Sequence, residues 1–186
     1  MLKRLLQDHK HISILLDILV QKRLRLLAGS GVDFKVIRDI VEYMQVYAEH
    51  SHHPVEDIIF SHFVAKSVSL DNKLFDDMQL EDEHHKLIAA SQNLMFSINL
   101  VLSDVVLSKD KLVADLSDYL TLQQQHMEYE EGRLFPLFEQ HLSAVDWQEI
   151  NQACQQKLID DPLFSQTDDV LFESLREYFS NTDTSR

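Results

Sequence analysis

Two His-x-x-x-Glu pairs, His52 with Glu56 and His126 with Glu130, hold the most reactive combination of side chains in this sequence. A spacing of four puts both members of a pair on one helix face, about one turn apart. An imidazole nitrogen and a carboxylate placed that way can ligate the same cation. Chance produces one such pair in many helices, but two on separate segments carry more weight. Each pair also has a lone histidine upstream: His9 stands 43 residues before His52, and His84 stands 42 residues before His126. Each lone histidine follows an acid (Asp8, Glu83), and each Glu of a pair is followed by another (Asp57, Glu131). The pattern is an internal repeat of two helical hairpins, each offering His plus His-x-x-x-Glu.

Nitrogen and carboxylate donors without thiolate suit iron or manganese, and zinc is possible. Six donors are too many for one tetrahedral zinc. They fit two metals, each with two histidines, bridged by carboxylates. The candidate metal ligands are therefore His9, His52, Glu56, His84, His126 and Glu130. Their neighbours indicate which histidines face inward. His9 lies one turn from Leu5, Leu6 and Ile12, and His84 one turn from Leu80, Leu87 and Ile88. His11 instead neighbours Gln7 and Asp8, and His85 faces Glu81 and Asp82. On the second helix His53 with Asp57 offers an alternative register. Asp8 and Glu83 either hold imidazole N–H groups in the ligating tautomer or sit in solvent.

Helices must position these residues. With only 3 Gly and 3 Pro in 186 residues, the chain lacks the turn signals of a sheet protein. Apolar residues at helical spacing predict a first helix over Leu2–Leu27, ended by Ala28-Gly29-Ser30-Gly31, with Asp33 as N-cap of the next. A second helix is expected over Phe34–Lys66, a third from Asp71 or Asn72 to about Ser103, and a fourth over Asp110–Gln140. Shorter helices follow over Val145–Leu158 and Asp168–Phe179, separated by a break at Asp160-Asp161-Pro162. At ~1.5 Å per residue, His9 and His52 each lie ~27 Å from the turn joining their helices, so they share one level. Pro54 cannot donate to the carbonyl of His50 and should kink or bulge the second helix.

The expected fold is all-α: an antiparallel, up-down four-helix bundle over residues 1–142. A C-terminal helical extension over 143–180 packs on the same domain, and 181–186 fray.

The formal charge of −14 argues against a nucleic-acid surface. The single cysteine, Cys154, excludes an internal disulfide and a thiolate cluster. The N-terminus lacks the apolar stretch of a signal peptide, and the greasiest run, Leu94–Leu102, is too short to span a bilayer. A cytoplasmic protein with no membrane partner is expected.

The sequence resembles the hemerythrin-like, HHE cation-binding family. The resemblance rests on Asp8-His9-Lys10, His52-His53-Pro54-Val55-Glu56-Asp57, Glu83-His84 and, most specifically, His126-Met127-Glu128-Tyr129-Glu130-Glu131-Gly132-Arg133-Leu134-Phe135-Pro136. It implies a four-helix bundle holding two iron ions in an Fe–O–Fe type centre, with the six residues above as ligands. Oxygen carriers of the family have a fifth histidine one turn after the third-helix ligand, where this chain has Ile88. They also place the last carboxylate five residues after the fourth-helix histidine, which would be Glu131. The pattern looks closer to members that respond to nitric oxide, oxygen or iron, or that help repair iron–sulfur centres. With Ile88 in place of a ligand, one iron is expected to keep an open position.

The leading functional reading is a di-iron protein that binds or senses a small diatomic ligand (O2 or NO) or reports redox or iron status. A di-iron oxidoreductase is the second. The third is a metal-free helical interaction module using the apolar stripe Leu94, Met95, Phe96, Ile98, Leu100, Val101 and Leu102. That stripe is expected to be partly core and partly a homodimer contact.

Overall fold

The computed structural model describes residues 1–66 and 80–158. The first bundle helix is α1 (Leu2–Leu27). The second consists of α2 (Phe34–Tyr47), a single π turn (Ala48–His52) and α3 (His53–Lys66). The third is α4 (Leu80–Leu102). The fourth consists of α5 (Lys109–Tyr129), a second π turn (Glu130–Leu134) and α6 (Phe135–His141). A shorter helix, α7 (Ala144–Cys154), follows. Each bundle helix packs on its two neighbours: α1 on α2 and α5, and α4 on α2 and α5. That is the adjacency of an up-down bundle. No described helix is long and apolar enough to cross a membrane.

The two hairpin turns are built alike. After α1, Gly29 adopts φ 71°, with Ser30 N–H bonded to Arg25 O and Gly29 N–H to Leu26 O. After α4, Asp104 adopts φ 59°, with Val105 N–H bonded to Leu100 O and Asp104 N–H to Val101 O. Both are Schellman caps, which satisfy carbonyls that the helix end leaves free. Four residues later an N-cap restarts the chain: Asp33 accepts from Lys35 N–H at 2.9 Å, and Ser108 accepts from Lys111 N–H at 3.2 Å. The repeat seen in the ligands thus extends to the turns.

Two apolar cores sit above and below one polar layer. The larger includes Ile12, Leu15, Leu19, Ile37, Met44, Leu94, Ile98, Leu116 and Tyr119. The smaller includes Leu2, Leu5, Ile59, Phe63, Leu80, Leu134, Phe138, Ile150 and Cys154. Along every bundle helix the candidate ligands fall between residues of the two cores. Burial of each large apolar side chain contributes roughly 1.5–3 kcal/mol, so the cores can support the cost of the polar layer.

Of the third-helix stripe, Leu94 and Ile98 are core residues, while Phe96 is 65% exposed. α7 starts from a capping box between Ser143 and Asp146 and stops at Cys154, short of the expected Leu158. The expected start of the third helix at Asp71 or Asn72, the break at Asp160–Pro162, the helix over Asp168–Phe179 and the frayed tail lie outside the described residues.

Candidate metal centre

The structure brings all six candidate ligands into the polar layer and adds a seventh residue, His53. They form two groups of donors, each group's ligand atoms within 4.8 Å of one another. One group is His9, His52, Glu56 and Glu130; the other is His53, Glu56, His84 and His126. Glu56 belongs to both. Every member is buried, and Glu130 is completely so.

The π turn explains how two adjacent histidines both reach the layer. His53 N–H bonds to Ala48 O, five residues back, and the next residue is Pro54. Pro54 lacks the N–H that a regular helix would send to His50 O, so the ladder slips there by one residue. A wider turn narrows the angle between successive side chains, and His52 and His53 share the inner face. The same device recurs on the fourth helix, where Phe135 N–H bonds to Glu130 O just before Pro136.

The choice between the two second-helix registers is thereby answered differently than the sequence suggests. Both histidines point inward, whereas the Asp57 side chain is 53% exposed. On the fourth helix Glu130 lies in the layer and Glu131 is 48% exposed. The position expected to lie open at Ile88 adjoins a fifth imidazole supplied from the second helix. His53 stacks on His84 with ring centroids 4.1 Å apart and shares a small cavity with Ile88. His11 is buried but turned to Gln7, whose amide meets its Nε2 at 2.8 Å. His85 is exposed.

The acids beside the ligands form a ring. Asp8 on the first helix meets His52 Nδ1 on the second at 3.2 Å. Asp57 on the second meets His84 Nδ1 on the third at 3.2 Å. Glu83 on the third meets His126 Nδ1 on the fourth at 3.2 Å. Glu131 on the fourth accepts from His9 Nδ1 on the first at 2.8 Å. Each acid fixes the tautomer of the next helix's imidazole, which leaves Nε2 for the layer. Tyr47 extends one branch by donating to Asp8 Oδ1 at 3.0 Å.

The inward atoms fit a cation. The Nε2 atoms of His9, His84 and His126, Nδ1 of His53, and both oxygens of Glu56 and Glu130 are buried without a hydrogen-bond partner. They crowd together all the same: His52 Nε2 lies 2.9 Å from Glu56, His9 Nε2 3.2 Å from Glu130, His84 Nε2 3.4 Å from Glu56 and His126 Nε2 3.5 Å from Glu130. Orphaned polar groups at this depth are costly, and metal ions would satisfy them together.

Without metal, protons must carry that positive charge. Burial pulls His9 down, but contacts with Glu130 and Glu56 outweigh it and lift the ring to about 9. Burial likewise opposes charge on His52 and His84, yet neighbouring carboxylates raise both to about 10. Burial next to the other imidazoles holds His53 well below its ordinary value. Glu56 is pressed well below the usual carboxylate range by His52, against the effect of burial, while burial and the Glu56 charge push Glu130 up.

No curated protein and no solved structure matches the chain. A family model does, the hemerythrin HHE cation binding domain, over residues 1–138. That span contains every residue of the donor layer and of its ring of acids, and the chain belongs to this family.

Proposed function

We propose that the layer holds two iron ions and that the protein binds or senses a small diatomic ligand, O2 or NO, or reports iron or redox status. The observation that carries this reading is the pair of buried donor groups sharing Glu56. Imidazole and carboxylate donors without thiolate favour iron, with manganese or zinc as weaker fits. Bound iron would supply redox change and affinity for small exogenous ligands.

The chain's residues would provide the asymmetry. His53, His84 and His126 offer three imidazoles on one side, while His9 and His52 offer two on the other with both carboxylates. Five imidazoles and two carboxylates would hold the ions. The side with fewer imidazoles, that of His9 and His52, is where a small exogenous ligand would be accommodated. Phe135, itself buried, stacks on His9 on that side with ring centroids 5.4 Å apart. A metal-free interaction module is disfavoured, because it would leave the buried donors uncompensated.

The test is anaerobic titration of the reduced, iron-loaded protein with nitric oxide, followed optically. A saturable spectral change at about one NO per iron pair supports the reading. No change in fully loaded protein would remove the small-ligand role while leaving metal binding intact.

A further inference from the structure

A third group of metal-capable side chains lies apart from the bundle core, where α7 docks on α3. His62 Nε2 is 3.4 Å from Asp146 Oδ1 and 3.5 Å from Glu149 Oε2. Those separations are long for hydrogen bonds. They match the ligand-to-ligand edge of a tetrahedral ion, about 3.4 Å when nitrogen and oxygen sit about 2.1 Å from the metal. Asp146 is aimed for this role by its cap: Oδ2 accepts from Ser143 N–H at 2.8 Å and from the Ser143 hydroxyl at 2.6 Å, which leaves Oδ1 toward His62. A cation already rests there, since Lys66 Nζ reaches the same Oδ1 at 2.9 Å. The Lys66 side chain is 53% exposed and one turn beyond His62, so it can swing into solvent.

We propose that His62, Asp146 and Glu149 form a separate divalent-cation site of zinc type, which staples α7 to the bundle and from which the metal displaces the Lys66 ammonium. One imidazole and two carboxylates suit zinc, with a further position for water. Asp146 and Glu149 lie beyond residue 138, outside the span that matches the family. Two of the three ligands therefore come from the extension and one, His62, from the bundle, and the site does not depend on the function proposed for the core.

The experiment titrates Zn(II) into the full-length protein against a chromophoric chelator, in wild type, His62→Ala, Glu149→Gln and Lys66→Ala. One zinc equivalent should disappear, or weaken about tenfold or more, in His62→Ala and in Glu149→Gln. The same equivalent should tighten several-fold in Lys66→Ala, a gain that misfolding cannot mimic. Trp147, the single tryptophan, adjoins Asp146, and its emission should change as that equivalent binds. Equal zinc binding in wild type and His62→Ala, or weaker binding in Lys66→Ala, would overturn the proposal and leave the cluster a salt-bridge network.

Discussion

His9, near the start of the first helix, donates to Glu131 on the fourth bundle helix at 2.8 Å, across 122 positions of chain. This contact closes the ring in which each bundle helix holds the histidine of the next. Holding Nδ1 in place is worth about 10–100-fold in metal affinity where it has been lost from such sites. Glu131→Ala is therefore expected to weaken iron binding by about that factor in chelator competition, with helix content unchanged by circular dichroism. Asp57→Ala should do the same, because it occupies the equivalent place in the other hairpin. Unchanged affinity in both variants would mean that the ring is incidental.

His53 is the residue whose removal separates the two sides of the layer. Its ring belongs only to the donor group with His84 and His126. His53→Ala should deplete metal on that side and leave about one ion per chain, whereas the exposed His85→Ala should keep full occupancy. Metal analysis after iron reconstitution decides. Equal losses would show that the inner face has been misassigned.

His53 also marks the limit of what the residue pattern reveals. The six other donors announce themselves by spacing alone, because i and i+4 share a helix face and the hairpins repeat at 43 and 42 residues. An α-helical wheel cannot put His52 and His53 on one face as equals, so the pair reads as a choice of register. Pro54 was the available signal: a missing N–H just after His53 lets the ladder slip and both rings turn inward. The acids are a different case. Asp8, Glu83, Asp57 and Glu131 stand out as a repeat, but their partners lie on neighbouring helices, and spacing within a helix says nothing about pairing between helices.

Metal-free protein should be less stable than the loaded form and should lose stability as pH rises. His9, His52 and His84 have raised values of about 9, 10 and 10 in the fold. Their contribution is therefore complete below the unfolded value of about 6.5 and declines as pH rises through the folded values. The melting temperature of the apo form should fall between about pH 6.5 and pH 10, and that of the iron form should change less. A flat apo profile over this range would contradict the assignment of charge. Iron binding at pH 7 should also release on the order of three protons, measurable by calorimetry in buffers of different ionisation enthalpy.

Asp104 gives a test of the fold that is independent of the metal. It holds φ 59° where the matching turn has Gly29 at φ 71°. A left-handed conformation costs an L-residue roughly 1–2 kcal/mol, and glycine avoids that cost. Asp104→Gly is expected to raise stability by up to about 1 kcal/mol in urea unfolding, since Asp tolerates this conformation better than most residues. A loss of stability would mean that the aspartate side chain makes a compensating interaction in the turn.

Glu56 stands in both donor groups, which makes iron content with and without it the most direct measurement. Wild-type protein reconstituted under anaerobic conditions should hold about two irons per chain, and Glu56→Ala should lose both together rather than one. Fewer than one iron in the wild type, or two retained by a folded Glu56→Ala, would contradict a shared two-metal centre.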